Sequence, residues 1–279
     1  MKTKMSPLLK LYVALIMFFL YAPIFVMIVF SFNDSVSTSV FTGFSSRWYE
    51  SLLHDSATIK SLYNTLILAV SSSLVATVMG TAAAVGINAM KNKWVKKATM
   101  SVTNIPMMNP EIVTGISMML LFVFVAKLLG IKDVLGFWTM LIAHVTFNLP
   151  YVILNVLPKL RQLDPHLPEA AMDLGCTPLQ AFFKVTLPSI STGIVSGLMM
   201  SFTLSLDDFV ISYFTQGPGF ETLPIRIFSM TKKRVTPDMY ALSTLIFFAI
   251  LFLLILLNVS QVRGERKMKN KFDKGGKGV

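Results

Sequence analysis

The sequence contains few charged residues, and they are unevenly distributed. Asp, Glu, Lys and Arg make up 14% of the 279 residues and hydrophobic residues 54%, whereas an average soluble domain has about 25% charged residues. Residues 11–32 include no Lys, Arg, Asp, Glu or His. A helix of that length, at about 1.5 Å per residue, spans a hydrocarbon core of about 30 Å. The apolar core of a secretory signal is only roughly 7–15 residues long, so we expect a retained membrane helix.

Residues that bind metals or nucleotides are also scarce. The single cysteine, Cys176, cannot form a disulfide within the chain, and the three histidines (His54, His144 and His166) lack metal-ligand spacing. No G-x-x-x-x-G-K-[ST] motif is present, so we expect no ATP site and no cofactor in this chain. The apolar segments contain no nucleophile–base or metal constellation, which argues against a membrane enzyme.

Six apolar segments alternate with polar ones along the chain. They are predicted as membrane spans at about Leu8–Phe32, Leu62–Met90, Ser101–Ala126, Gly136–Leu157, Ile190–Phe214 and Tyr240–Val262. With a cytoplasmic N-terminus, about two thirds of the 25 Lys and Arg residues fall on the cytoplasmic side, in agreement with the positive-inside rule. We therefore predict an all-α integral membrane protein with six transmembrane helices and both termini in the cytoplasm.

The predicted domains follow from these spans. Residues 1–7 form a cytoplasmic N-terminus, residues 8–262 form the membrane domain, with a long cytoplasmic loop at 159–189, and residues 263–279 form a basic cytoplasmic tail. The anionic inner leaflet of a lipid membrane explains the net charge of +11, so no nucleic-acid partner is predicted.

The second span carries small residues on one face. Ser72, Ala76, Gly80 and Ala84 recur every four residues, a spacing that lets another helix approach closely. We predict ordinary helix packing at this face.

Three carboxylates lie within or beside the spans: Glu111, Asp207 and Asp208. A charged carboxylate at mid-membrane costs at least about 2.5–3.5 kcal/mol, so such residues usually face a pathway or a partner. Asp208 belongs to a helical stripe of small and polar residues formed with Gly193, Gly197, Ser201, Ser205 and Ser212. Asp207 lies about 100° around the helix from this stripe. We favour the lining of a passage for a cation. The alternatives are a salt bridge to a partner subunit or a protonated carboxyl.

Glu111 also has a local explanation. In Asn109-Pro110-Glu111, Asn could cap a helix, Pro could occupy its first position and Glu could interact with its dipole. Asn104-Ile105-Pro106 just before it predicts a broken entry to this helix. Capping and passage lining both remain open for Glu111.

The loop between the fourth and fifth spans has its own pattern of helix signals. Pro168 and Glu169 suit the first turn of a short helix, and Gly175 should end or bend it. Thr177-Pro178 starts a second helix, which Pro188 separates from the fifth span. A simple connector usually needs only about 2–8 residues, so this helix–turn–helix should have a role of its own.

The same loop resembles the signature of ABC importer permeases of the MetI-like fold. That signature is E-A-A, three residues, G, nine residues and I-x-L-P; here it reads Glu169-Ala170-Ala171, Gly175 and Val185-Thr186-Leu187-Pro188, with Val in place of Ile. The resemblance implies the MetI-like permease fold, with a cytoplasmic coupling helix that docks on a separate ATPase subunit. The residues implied in coupling are Glu169, Ala170, Ala171, Asp173, Gly175, Leu187 and Pro188.

Over about residues 8–262 the resemblance narrows to the permeases of spermidine/putrescine importers. It rests on Arg47-Trp48-Tyr49, on Asn109 to Val113, on Ser201 to Phe209, and on Gly217-Pro218 before Leu223-Pro224. It implies a polyamine route lined by Glu111, where the family commonly has Asp, together with Asp207, Asp208, Ser205, Trp48 and Tyr49. The ring face of Trp48 could bind an ammonium group, worth about 0.5–2 kcal/mol. The alternative is an anchor at the membrane interface.

The expected function is therefore that of a permease subunit in the bacterial cytoplasmic membrane. The resemblance implies ATP-driven import of polyamines by alternating access, with a sister permease, two copies of an ATPase that binds ATP and Mg, and an extracytoplasmic polyamine-binding protein. The alternatives are an ABC permease for another cationic small molecule and a self-contained transporter driven by an ion gradient. The second would not explain the coupling motif.

Overall fold

The structure, a computed structural model, describes residues 6–35, 40–164, 166–232, 237–252, 254–255 and 259. The predicted basic tail lies outside these residues, as does most of the end of the predicted sixth span. The described part is almost entirely helical, and an isolated antiparallel bridge pairs Asn33 with Phe44.

The helices follow one another with short connections. In chain order they are α1 (Pro7–Ser31), α2 (Arg47–His54), α3 (Ser56–Ala89), α4 (Lys93–Met108), α5 (Glu111–Leu129), α6 (Phe137–Gln162), α7 (His166–Asp173), α8 (Pro178–Ala181), a π-helical turn (Phe182–Thr186), α9 (Leu187–Ser189), α10 (Ser191–Asp207), α11 (Val210–Thr215), α12 (Leu223–Thr231) and α13 (Pro237–Phe252).

Several of these helices are long and apolar enough to cross a membrane. In the described part they are α1, α3, α5 and α6, with a possible fifth span formed by Pro178–Ser189 and Ser191–Asp207, which meet at an angle of 66°. Helix α13 is apolar but shorter, and the continuation predicted up to Val262 falls largely outside the described residues. The structure thus supports four or five spans, and the count of six stays a prediction.

The predicted third span is two helices. Its first part belongs to α4 and its second to α5, with the chain extended at Asn109 (ψ 143°). Proline lacks an N–H and disfavours helical angles in the residue before it, so Pro110 explains the break. The sequence prediction was wrong on two details. Pro106 lies inside α4, and Asn109 ends α4 while Pro110 occupies the N-cap of α5 without a side-chain cap.

By its internal contacts the chain divides into two units: residues 1–59 with 227–254, and residues 60–226 with 255–279. The first unit includes α1, α2 and α13, and within it the Phe30 and Tyr240 rings meet edge to face with centroids 6.5 Å apart. The second unit includes most of α3 and all of α4 to α11. That residues 8–262 form one membrane domain stays a prediction.

Helices α3, α6 and α10 form the core of the second unit. The small residues of α3 (Ser72, Ala76, Gly80 and Ala84) are all buried, which confirms the predicted packing face. Val152 of α6 lies where the helices come closest: a Cβ added at Gly80 of α3 would be 2.7 Å from it, and one at Gly197 of α10 would be 3.3 Å away. Such short approaches require glycine.

Candidate functional site

The predicted fifth span is broken at the two aspartates. Helix α10 ends at Asp207, Asp208 is extended (φ −62°, ψ 121°), and α11 begins at Val210. Asp208 Oδ1 accepts a hydrogen bond from the backbone N–H of Ile211 (3.3 Å) and Oδ2 accepts one from Ser212 (2.8 Å). These N–H groups belong to the first turn of α11, where helices lack internal acceptors. Asp208 therefore ends one helix and caps the next.

Asp208 also pairs with a buried histidine of α6. His144 Nε2 lies 3.4 Å from Asp208 Oδ2 and 3.0 Å from Ser212 Oγ. The His144 and Asp208 side chains are 1% and 4% exposed. Asp207, the preceding residue, is exposed. The two neighbouring aspartates thus occupy opposite environments.

Glu111 approaches the aspartates because α5 packs on α11. Gly115 of α5 is buried, and a Cβ added there would lie 2.9 Å from the Phe214 ring and 3.4 Å from the Val210 carbonyl oxygen. The charges of Asp207 and Asp208 both act on Glu111. The structure therefore brings the three predicted carboxylates together, in what is called here the acidic cluster (Glu111, Asp207 and Asp208).

The small-residue stripe of α10 lies between helices of the second unit. A Cβ added at Gly193 would be 2.8 Å from the Asn155 carbonyl oxygen. Ser205 is 3% exposed and its Oγ lies 2.7 Å from Asn148 Nδ2 and 3.0 Å from Ser72 Oγ. The stripe is buried, whereas Asp207 at the end of α10 is exposed, so contact between Ser205 and a cargo stays a prediction.

Trp48 and Tyr49 belong to the first unit, at the start of α2. Trp48 Nε1 donates to the Asn33 carbonyl oxygen (2.7 Å), and the Arg47 guanidinium lies 4.4 Å from the Trp48 ring centroid. Tyr49 OH lies 2.7 Å from Ser31 Oγ. Both side chains are half-buried and hold α1 to α2. One ring face of Trp48 already carries a cation, so a polyamine ammonium could use only the other face.

The loop at 159–189 has the predicted helix–turn–helix form. Gly175 (φ +88°) ends α7, with hydrogen bonds from Gly175 N to Met172 O and from Cys176 N to Ala171 O. This is the Schellman pattern, which favours glycine at the left-handed position. Thr177 caps α8 and exchanges hydrogen bonds with Gln180.

The side chains implied in coupling lie mostly on the surface of this loop. Glu169, Ala170, Asp173, Gly175 and Pro188 are exposed, Leu187 is half-buried and Ala171 is buried. His166 Nδ1 lies 3.1 Å from Glu169 Oε2. This hydrogen bond, with the charges of Asp164 and Glu169, raises the pKa of His166.

Sequence reasoning missed three residues of α6 near the acidic cluster. These are His144, which lacks metal-ligand spacing in the sequence, Asn148 and Tyr151. Tyr151 packs on Phe147, with ring centroids 5.5 Å apart, and its hydroxyl interacts electrostatically with the Glu111 carboxylate. The available signal was the i, i+4 spacing of His144 and Asn148 within an apolar span. No group of three or more His, Cys, Asp or Glu in the described part of the chain could hold a metal.

Residues 76–270 match the family described as binding-protein-dependent transport system inner membrane component. The chain is 41% identical over 232 residues to the putrescine transport system permease protein PotI of Escherichia coli (strain K12), which covers 83% of each chain. It is 36% identical over 251 residues to the spermidine/putrescine transport system permease protein PotC of the same strain, which covers 90% of this chain and 91% of that one.

Solved structures show the same fold. A bacterial ABC transporter involved in import of the acidic polysaccharide alginate has a chain that aligns with a TM-score of 0.71 at 17% identity, over 91% of this chain and 94% of that one. The MetNI methionine ABC transporter aligns with a TM-score of 0.57 at 18% identity, over 76% and 94%. The chain is thus a multi-pass, all-helical membrane protein that belongs to the binding-protein-dependent transport system inner membrane components, a family of transport permease subunits with the MetI-like fold.

Proposed function

We propose that this chain is the permease subunit of an ATP-driven ABC importer that moves polyamines, spermidine or putrescine, into the cell by alternating access. The observation that carries the proposal is the acidic cluster beside the break between α10 and α11. The relatives named for putrescine and for spermidine/putrescine transport support the same cargo class.

The chemistry of a polyamine fits such a cluster. A polyamine carries several ammonium groups separated by methylenes, so it needs carboxylates for its charges and apolar or aromatic surface for its spacers. The exposed carboxylates Asp207 and Glu111 would meet the ammonium groups, with Tyr151 beside them. Ser205 is proposed to line the same route, and Trp48 and Tyr49 of the first unit are proposed as separate contacts for the cargo.

The proposed topology has six spans with both termini in the cytoplasm. The sixth span would continue α13 towards Val262, and the tail from residue 263 would lie at the anionic inner leaflet. The loop at 159–189 is then cytoplasmic. The membrane would be the bacterial cytoplasmic membrane, in keeping with the inner-membrane family.

We further propose that α7 is the coupling helix. It would dock on one of two ATPase subunits that bind ATP and Mg, and Glu169, Ala170, Asp173 and Gly175 would present its exposed side. The remaining partners would be a sister permease and an extracytoplasmic polyamine-binding protein. Closure of the ATPase pair would move the coupling loop of each permease subunit, and the permease pair would then change the side of the membrane to which it is open.

The cargo is tested by ATP hydrolysis of the assembled complex in lipid discs, with the binding protein and with or without spermidine. We expect spermidine to stimulate hydrolysis, and the double variant Asp207→Asn/Asp208→Asn to lose this stimulation while the complex still assembles. Asp133→Asn is the matched control, because it also removes a carboxylate and asparagine tolerates the positive φ of 53° there. Stimulation by another cargo with spermidine inert would keep the ABC permease and exclude the polyamine.

The coupling role is tested with Glu169→Gln. We expect this variant to bind the ATPase less well and to lose most transport-linked ATP hydrolysis. Full transport-linked hydrolysis in the variant would show that the assigned role is wrong. Uptake driven by an ion gradient after the ATPase has been removed would contradict the ABC mechanism itself.

A further inference from the structure

Asp207 and Asp208 are adjacent in sequence but are not equivalent in the structure. Asp207 is exposed at the last position of α10, whereas Asp208 is 8% exposed. Both Asp208 carboxylate oxygens already accept hydrogen bonds from the first turn of α11, and Oδ2 also faces His144. Asp208 is therefore buried with both oxygens engaged, while Asp207 has an accessible carboxylate.

His144 is suited to hold the first turn of α11 through Ser212. Its Nε2 lies 3.0 Å from the Ser212 hydroxyl oxygen and 3.4 Å from Asp208 Oδ2, while its buried Nδ1 finds no partner among the described residues. A proton on Nδ1 would be a buried donor without an acceptor, which is unfavourable. The neutral ring with the proton on Nε2 donates to Ser212 Oγ, beside the Asp208 carboxylate, and leaves only a weak acceptor unpaired.

Helix α11 links this pair to Glu111. Asp208 holds the first turn of α11 through Ile211 and Ser212. The same short helix packs on α5 at Gly115, one turn after Glu111. A shift of α11 relative to the end of α10 would therefore change the separation between Asp207 and Glu111.

We propose that Asp208 and His144 do not bind the cargo but lock the break between α10 and α11, so that Asp207 and Glu111 stand at a set spacing for two ammonium groups. His144 is then a positioning residue that acts through Ser212, whose backbone N–H is held by Asp208. This inference rests on the proposed polyamine transport for its cargo, although the lock itself does not. In the acidic cluster, Asp207 and Glu111 then contact the cargo, and Asp208 stabilises the break between α10 and α11.

The lock is tested without cargo by a double-mutant cycle on the purified complex. The variants are His144→Leu, Asp208→Asn and the combination, and the readout is the apparent thermal midpoint. We expect each single change to lower the midpoint and the double change to lower it little further, because both remove the same interaction. Thr146→Ala, at an exposed position of α6, is the control and should leave the midpoint unchanged. Additive losses would overturn the lock.

Positioning is tested by the spermidine concentration that half-saturates stimulation of ATP hydrolysis. His144→Leu should raise this concentration by about two- to tenfold, since the hydrogen bond to the Ser212 hydroxyl in the first turn of α11 is lost. His144→Gln keeps an N–H donor and should recover most of the loss. Asp207→Asn should abolish stimulation without lowering the thermal midpoint.

The outcomes separate the two proposals. Equal behaviour of His144→Leu and His144→Gln would mean that the histidine only fills space, and the positioning role would fall. A lower thermal midpoint in Asp207→Asn would contradict the assignment of the two aspartates, because it would give Asp207 the structural role. If spermidine does not stimulate ATP hydrolysis by the unaltered complex but the thermal cycle is still non-additive, the proposed cargo is refuted and the proposed lock is retained.

Discussion

Replacing Gly80 with alanine should destabilise the protein, whereas the same replacement at Gly86 on the same helix should not. A Cβ at Gly80 would lie 2.7 Å from both Cβ and Cγ1 of Val152 and 3.4 Å from the Leu149 carbonyl oxygen. A Cβ at Gly86 meets no atom within 4 Å. The pair therefore separates a packing effect from a backbone effect.

The magnitude follows from two opposing terms. Alanine is more favourable than glycine inside a helix by about 0.8–1.0 kcal/mol, and both variants gain this term. Carbon atoms prefer separations of about 3.5–4.0 Å, so Gly80→Ala forces Val152 or the α6 backbone to move, and such overpacking costs about 1–3 kcal/mol. Gly86→Ala should be slightly stabilising, and Gly80→Ala should be less stable than Gly86→Ala by about 1–3 kcal/mol.

The assay is the apparent thermal midpoint of the purified permease complex in detergent, where each kcal/mol shifts a domain of this size by about 2–4 °C. Val152→Ala removes Cγ1 but keeps Cβ, so it should relieve part of the clash, and the combination with Gly80→Ala should lose somewhat less than the sum of the single losses. Equal shifts for Gly80→Ala and Gly86→Ala would refute the close approach of α3 and α6 and the packing derived from it.

Three further predictions concern single side chains. Ser205→Ala removes the hydrogen-bond partner of Asn148 and should lower stability by about 0.5–2 kcal/mol, seen as a lower thermal midpoint. Gly175→Ala should weaken the end of α7 by about 1–2 kcal/mol because of its positive φ, and Gly175→Asn should do so less; hydrogen exchange of the α7 amides measures both. The hydrogen bond to Glu169 raises the pKa of His166, so its stabilisation of α7 is complete below the ordinary pKa near 6.5 and is lost as the pH rises through the raised value. Hydrogen exchange of α7 against pH should show this loss, and Glu169→Gln should weaken the pH dependence, with the charge of Asp164 retaining part of it.

Features that depend on neighbouring residues along the chain could be predicted from the sequence. The apolar run predicted at Leu8–Phe32 is the helix Pro7–Ser31, because transfer into lipid depends on composition and length. Gly175 ends α7 and Thr177 caps α8 as expected, because left-handed angles and cap hydrogen bonds are local requirements.

The two breaks inside apolar segments could not be placed in the same way. The sequence indicated a helix start at Asn109-Pro110-Glu111 but assigned the broken entry before it to Asn104-Ile105-Pro106, and it predicted one continuous span across Asp208. A proline or an aspartate in such a run is compatible with a kink, a break or an uninterrupted helix. At Asp208 the broken ends lie beside His144, a residue far away in the sequence whose Nε2 is 3.0 Å from Ser212 Oγ in the first turn of α11.

The sequence by itself determined the class and family of this protein, because hydropathy, charge placement and the spacing of the loop motif are properties of the chain read in order. It also identified Glu111, Asp207 and Asp208 as unusual, since carboxylates are costly in apolar segments. Only the tertiary structure decided that these three residues meet and that Asp208 is buried while Asp207 is exposed. The packing of α6 and α5 around the broken span sets these environments, and no local pattern specifies which neighbours a side chain will have.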